Sequence, residues 1–103
     1  MLDKSSIILK LKELKEVYNK EGFIIKGLFG SYSKDEATKN SDIDILVEAT
    51  PLFASKYGFN AINRVNEIKN EISSFFGRPV DLADSSNMGK TAKKFIIDKT
   101  IYV

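Results

Sequence analysis

The chain has 103 residues, 43% of them hydrophobic and 29% charged, which is the composition of one ordinary globular domain. Its formal net charge of +2 is too small to indicate a nucleic-acid or membrane partner. The absence of Cys and His excludes disulfides, thiolate or imidazole metal sites, and catalysis by a Cys nucleophile or a His base. Carboxylates, hydroxyls, Lys and Arg remain for catalysis, and a bound metal would have oxygen ligands, as Mg²⁺, Mn²⁺ and Ca²⁺ do.

Targeting and membrane signals are missing from the sequence. The N-terminal apolar run is too short for a signal peptide, and no run approaches the roughly 20 apolar residues of a membrane span. We therefore expect a cytoplasmic protein with a single domain over residues 1–103.

Hydrophobic periodicity predicts a chain that alternates helices and strands. Residues 4–19 have apolar side chains at helical spacing, whereas 23–29 is a β-branched and aromatic run typical of a buried strand. Gly77 stands where a long helix should end. Alternation of this kind indicates an α/β or α+β domain with helices packed on one small sheet. The further predicted helices are 51–57, 60–76 and 90–98, and the further strands are 43–47, 78–83 and 101–103.

The segment after the first strand has a local signal of its own. Ser33 followed by Glu36 has the form of a capping box, in which the two side chains cap the start of a helix. We expect a short helical turn from there to about residue 38.

Three carboxylates lie in predicted strands or at their start. Asp42 precedes the second strand, Asp44 interrupts it, and Asp81 lies between two apolar residues of the third. Asp has a poor strand propensity, and burial of an unpaired carboxylate costs several kcal/mol. Side chains two residues apart on a strand share a face, so Asp42 and Asp44 should project together. If the third strand lies beside the second, three clustered negative charges require a counter-ion, for which Mg²⁺ is the natural candidate.

Gly30 and Ser31 follow the first predicted strand and precede a helical turn. Glycine lets a phosphate approach the backbone, and the Ser hydroxyl and nearby N–H groups can bind anions. The pattern is not a Walker A loop. Each feature taken alone has a structural explanation, as a turn, a cap or an edge-strand charge. Together, phosphate-binding residues and metal-binding carboxylates indicate Mg²⁺-assisted phosphoryl or nucleotidyl transfer.

The combined pattern resembles the signature of the DNA polymerase β-like nucleotidyltransferase superfamily. Gly30-Ser31, ten intervening residues and Asp42-x-Asp44 fit that signature without a gap, and residues 77–82 match its later Gly-[Arg/Lys]-x-Val-Asp-Leu strand. More narrowly, the chain is similar to the minimal nucleotidyltransferases, the MntA-type antitoxins. Two positions depart from that pattern: Lys34 stands where Arg is frequent, and Asp35 where Gly is frequent.

The resemblance implies a small mixed sheet with helices on one face, and transfer of AMP from ATP to an acceptor hydroxyl. It implies that Asp42, Asp44 and Asp81 are catalytic and hold two Mg²⁺ ions, with Asp81 helping to activate the acceptor. It also implies that Gly30 and Ser31 hold the β- and γ-phosphates, with Lys34 as a further phosphate contact.

The acceptor that the resemblance implies is a tyrosine of a partner HEPN-type toxin, so that the protein would be the antitoxin of a toxin–antitoxin pair. Two alternatives stay open at this point. One is a non-catalytic antitoxin that masks its toxin by binding. The other is a small-molecule nucleotidyltransferase whose acceptor surface comes from a partner chain. We expect no membrane or direct nucleic-acid partner, and the sequence leaves a homodimer open.

Overall fold

The computed structural model describes residues 3–34, 36–38, 40–87 and 89–103, and within these ranges it has one four-stranded sheet and four α-helices. The helices and strands alternate in the order that the sequence predicts. None of the helices in these ranges is both long and apolar enough to cross a membrane. The strands are β1 (Phe23–Phe29), β2 (Ile43–Ala49), β3 (Val80–Asp84) and β4 (Ile101–Tyr102), and the helices are α1 (Lys4–Asn19), α2 (Pro51–Tyr57), α3 (Ala61–Phe76) and α4 (Lys90–Lys99).

The sheet has the strand order β3-β2-β1-β4. β1 is antiparallel to both β2 and β4, whereas β2 and β3 are parallel. Because of these directions, the C-terminal end of β1 and the N-terminal ends of β2 and β3 lie at the same end of the sheet. The segment that follows β1 therefore meets the residues that begin β2 and β3. The expected mixed sheet is confirmed.

One face of the sheet packs against the amphipathic helices. Alternate residues of β1 and β2 form the main core together with the apolar stripes of α1 and α3, as the period of two in strands and of 3.6 in helices requires. Leu46 is fully buried but lies outside this main cluster. The opposite face of β2, where side-chain alternation places Leu46, is therefore also covered at its centre. The fully buried side chains of the main core include Ile7, Leu11, Phe23, Ile25, Leu28, Ile43, Ile45, Ile68 and Ile72.

The helix ends show why the helices occupy these ranges. Asp3 caps α1, because its carboxylate accepts a hydrogen bond of 2.8 Å from the Ser6 N–H. Gly77 follows α3 in the left-handed conformation, with φ +66°, which confirms it as the residue that ends the long helix. β3 begins only three residues later, so this turn positions Asp81 beside β2.

A network of charged and aromatic side chains joins α2, α3 and the turn before β1. Arg64 of α3 binds the carboxylate of Glu21 through two hydrogen bonds, of 2.6 and 2.7 Å, and Tyr57 of α2 donates to the same carboxylate. The hydrogen bonds from Arg64 lower the pKa of Glu21 to about 2. Arg64 also reaches Glu71, which accepts a hydrogen bond from Tyr18. These contacts lie at the end of the sheet where β1 begins, away from Gly30.

Candidate active site

The contact between Gly30 and Asp44 brings the two halves of the sequence signature together. Phe29, the last residue of β1, pairs with Asp44 of β2, so Gly30, the next residue, lies close to Asp44. Gly30 has φ +74°, and a Cβ on it would overlap the Asp44 carboxylate, 2.9 Å from its Cγ. Only glycine leaves room for a carboxylate this close to the backbone. The turn and the carboxylate therefore form one site.

Asp44 and Asp81 are direct neighbours across the parallel pair of β2 and β3. Their Cα atoms are in register, so both side chains project from the same face of the sheet, about one strand spacing of 4.8 Å apart. Burial raises the pKa of Asp44, and the negative charges of Asp81 and Asp42 raise it further. A cation bound nearby would therefore stabilise the ionised form of Asp44, which its surroundings otherwise disfavour.

Asp42 lies one residue before β2 and is exposed. The turn that precedes it is held by a hydrogen bond of 3.0 Å from the Ser41 N–H to the Thr38 carbonyl. Arg78, at the start of the third-strand segment, donates to the same Thr38 carbonyl at 3.4 Å. The segment that carries Asp42 is therefore tied to the segment that leads to Asp81, although these two carboxylates are far apart in sequence.

The phosphate-binding candidates lie directly after Gly30. Ser31 begins a single 3-10 turn, Ser31–Lys34, in which Ser31 is half-buried and Lys34 is exposed. The predicted capping box is wrong: Ser33 lies inside this turn, where its hydroxyl donates to the Gly30 carbonyl at 2.7 Å, and Glu36 lies outside any helix. The positive φ of Gly30 reverses the chain at once, so the turn begins at Ser31. Asp35 lies outside the described residues.

One further residue, Lys69, lies at this site without a signal in the sequence. Lys69 of α3 places its Nζ 4.0 Å from Oδ1 of Asp81. The two residues are separated by a helix end and a turn, so no local pattern in the sequence connects them. The amphipathic pattern of α3 predicts only that Lys69 lies off the buried stripe.

The donor set is compatible with a hard divalent cation. All three candidate ligands are carboxylates, which Mg²⁺ prefers, and Gly30 leaves one of them accessible from the adjoining turn. Among the described residues, however, no three acidic side chains converge closely enough to hold a metal ion in the arrangement seen. The Cα atoms of Asp44 and Asp81 are paired across β2 and β3. Their side chains would have to turn toward each other to coordinate one cation.

Comparisons with known proteins identify relatives of this chain. Residues 7–103 match the sequence pattern of the family described as Nucleotidyltransferase domain. A Methanocaldococcus jannaschii protein with the provisional name protein adenylyltransferase MJ0126 is 33% identical over 89% of this chain and 85% of its own length. MJ1217 of the same organism, with the same provisional name, is 30% identical over 90% of this chain and 97% of its own. Protein adenylyltransferase MntA of Thermococcus cleftensis is 29% identical over 89% of this chain and 83% of its own.

Solved structures with the same fold are also known. One, described provisionally as a minimal nucleotidyltransferase, superposes with a TM-score of 0.76 at 18% identity and covers 99% of this chain and 97% of its own. Another, described as a toxin–antitoxin with AMP-PNP, has a TM-score of 0.62 at 20% identity and covers 89% of this chain and 70% of its own. At these identities the two structures establish the fold.

Proposed function

Because the chain belongs to the nucleotidyltransferase domain family, we propose that it transfers AMP from ATP to a hydroxyl of a partner protein and acts as the antitoxin of a toxin–antitoxin pair. The acceptor we propose is a tyrosine of a HEPN-type toxin. The observation that carries the proposal is the contact of Gly30 with Asp44, which is itself in register with Asp81. Relatives named as protein adenylyltransferases support the choice of a protein acceptor.

The reaction joins the acceptor oxygen to the α-phosphorus of ATP and breaks the bond to the β-phosphate, so pyrophosphate leaves. In our assignment Gly30 and Ser31 bind the β- and γ-phosphates through the backbone and the hydroxyl, and Lys34 adds a positive charge beside them. These contacts orient the triphosphate so that the leaving pyrophosphate faces the turn after β1.

The carboxylates form the other half of the site. Asp42, Asp44 and Asp81 would hold Mg²⁺, two ions in our assignment, and the metal when bound supplies charge neutralisation for the transferring phosphoryl group. Asp81 lies on the edge strand β3 and its side chain is 61% exposed, so it is accessible to a protein acceptor. We assign it to the acceptor hydroxyl, whose proton it accepts as the new bond forms.

The test is label transfer from ATP carrying ³²P at the α-phosphate to the protein encoded by the neighbouring gene, with Mg²⁺ present. We expect AMP on a partner tyrosine, identified by mass spectrometry, and a loss of at least ~10³-fold in rate for Asp44→Asn. Glu48→Gln is the matched control, since Glu48 lies on the same strand and its ion pair with Lys26 is a partly exposed one of little energetic weight. We expect this control to react at the wild-type rate.

Two results would contradict the proposal and favour the alternatives. Label found on small alcohols and never on the partner would favour a small-molecule transferase. Tight binding of the partner with no transfer, and with Asp44→Asn binding equally well, would favour an antitoxin that masks its toxin without catalysis.

A further inference from the structure

Lys69 is a charged residue that the proposed function leaves without a role. It lies on α3, the helix that packs beside β3, whereas Asp81 follows the buried Val80 and so points away from the core. β3 is an edge strand of the sheet. The Lys69 side chain can therefore pass around that edge to Asp81, where its Nζ lies 4.0 Å from Oδ1.

The energetics of this ion pair argue against a purely structural role. The Lys69 side chain is 45% exposed and that of Asp81 is 61% exposed. Pairs so open to water, at this separation, contribute little to the stability of a fold. A contact that stabilises the fold only weakly can nevertheless fix the position of the Asp81 side chain while no divalent cation is bound.

Asp81 is also the carboxylate that lies across the strand pair from Asp44. It is in register with Asp44, whose pKa is raised partly by the charge of Asp81. Among the residues that the structure describes, the acidic side chains are not converged around one point. Lys69 therefore contacts one of the two carboxylates that have to turn toward each other to hold a cation between them.

We propose that Lys69 is a positioning residue that holds Asp81 at the edge of the sheet and competes with a divalent cation for that carboxylate. The inference rests on the proposed function, because it takes Asp81 to be a metal ligand. Lys69 thereby sets the concentration of metal at which the site assembles. A weak, exposed pair suits this role, because a divalent cation can displace it.

Removal of the positive charge should strengthen metal binding. In Lys69→Met the aliphatic stem is kept, Asp81 loses its competitor, and the repulsion between the ammonium and a divalent cation disappears. We expect the Kd for Mn²⁺ to fall by about three- to tenfold, and this difference to shrink in high salt. Lys69→Arg keeps the charge and should stay within about twofold of wild type.

The experiment is a titration of the full chain with Mn²⁺ alone, followed by electron paramagnetic resonance, at fixed pH and at both low and high ionic strength. Lys20→Met is the matched control, because Lys20 follows α1 at the end of the sheet where β1 begins. The seven residues of β1 separate that end from Gly30 by about 20 Å, well beyond the Debye length of about 8 Å. The control should bind Mn²⁺ as wild type does, and Lys69→Gln provides a second charge-free variant if Lys69→Met does not fold.

The possible outcomes distinguish a failure of this inference from a failure of the proposed function. A Kd for the charge-free variants that equals or exceeds that of wild type overturns the inference, as does a Lys69→Arg variant that behaves like them. If wild type transfers AMP while the Mn²⁺ titration shows no dependence on Lys69, the proposed function stands and the inference alone fails. If wild type neither binds Mn²⁺ nor transfers AMP, both fail.

Discussion

Substitution of Gly30 by Ala tests the contact on which the site is built. An L-residue at φ +74° costs about 1–2 kcal/mol, because its Cβ approaches the following carbonyl. The new methyl group would also overlap the Asp44 carboxylate, with its Cγ 2.9 Å away, and relief of such overpacking costs about 1–3 kcal/mol. We therefore expect Gly30→Ala to lower the free energy of unfolding by about 2–5 kcal/mol in the wild-type background.

The two contributions can be separated by a double-mutant cycle. In the Asp44→Ala background only the Asp44 Cβ remains, 3.1 Å from the added methyl group, so most of the overlap disappears. Gly30→Ala should then cost only the backbone contribution, which leaves a coupling energy of about 1–3 kcal/mol between the two positions. Urea unfolding of the four proteins in EDTA measures this coupling without any contribution from metal.

Gly77 supplies the matched control, because it has a similar φ of +66° with open space around the position of a Cβ. Gly77→Ala should cost the backbone contribution of about 1–2 kcal/mol whether or not Asp44 is present. If Gly30→Ala costs no more than Gly77→Ala, or costs the same in both backgrounds, then Gly30 does not contact Asp44, and the turn after β1 and the Asp44 carboxylate do not form one site.

Three further predictions concern Ser31, the carboxylate Asp44 and the ion pair of Glu21. Ser31→Ala should slow AMP transfer by about 10²-fold while the melting temperature stays near that of wild type, and a near-normal rate would return the turn to a purely structural role. Mg²⁺ with ATP should raise the melting temperature relative to EDTA, and Asp44→Asn should abolish this rise while the apo protein melts at or above the wild-type temperature, because one of the repelling carboxylates is gone. The pKa of Glu21 is lowered to about 2 from an ordinary 4.5, so its contribution to the stability of the fold is complete above pH 4.5 and is lost as the pH falls toward 2. Glu21→Gln should flatten this part of the curve of stability against pH. An unchanged curve would contradict the ion pair with Arg64.

The helices and strands, and much of the candidate active site, could be predicted from the sequence because their signals are local. A carboxylate inside an apolar strand, as at Asp44, is unfavourable for folding and so indicates a functional residue, and that local conflict is visible in the amino-acid sequence itself. The left-handed residue after α3 was predictable for a similar reason, since Gly77 ends an apolar periodicity. The prediction at Ser33 was wrong because the capping-box pattern says nothing of the reversal that Gly30 imposes one residue after β1.

Contacts between distant segments could not be predicted, because they depend on how the strands are ordered. Strand order in the sheet determines that Phe29 lies opposite Asp44 and that β3 forms an edge, and hydrophobic periodicity does not specify that order. The ion pair of Lys69 with Asp81 joins α3 to this edge strand, so it too depends on the order of the strands. The contact of Arg64 with Glu21 in the turn before β1 is also between distant segments, whereas its contacts with Glu67 and Glu71 lie within α3.

The distribution of charge over the sheet explains how the fold tolerates an unfavourable site. At the end where β1 begins, Glu21 is paired with Arg64 and its pKa is lowered, so its ionised form stabilises the folded state. At the end where β1 finishes, burial and neighbouring charges raise the pKa of Asp44, so its ionised form has the opposite effect. The two ends are about 20 Å apart along β1, too far for their charges to interact strongly across the protein surface. The pairing of Glu21 therefore does not relieve the repulsion around Asp44, and the stabilising contacts at the Glu21 end and in the core keep the chain folded despite it.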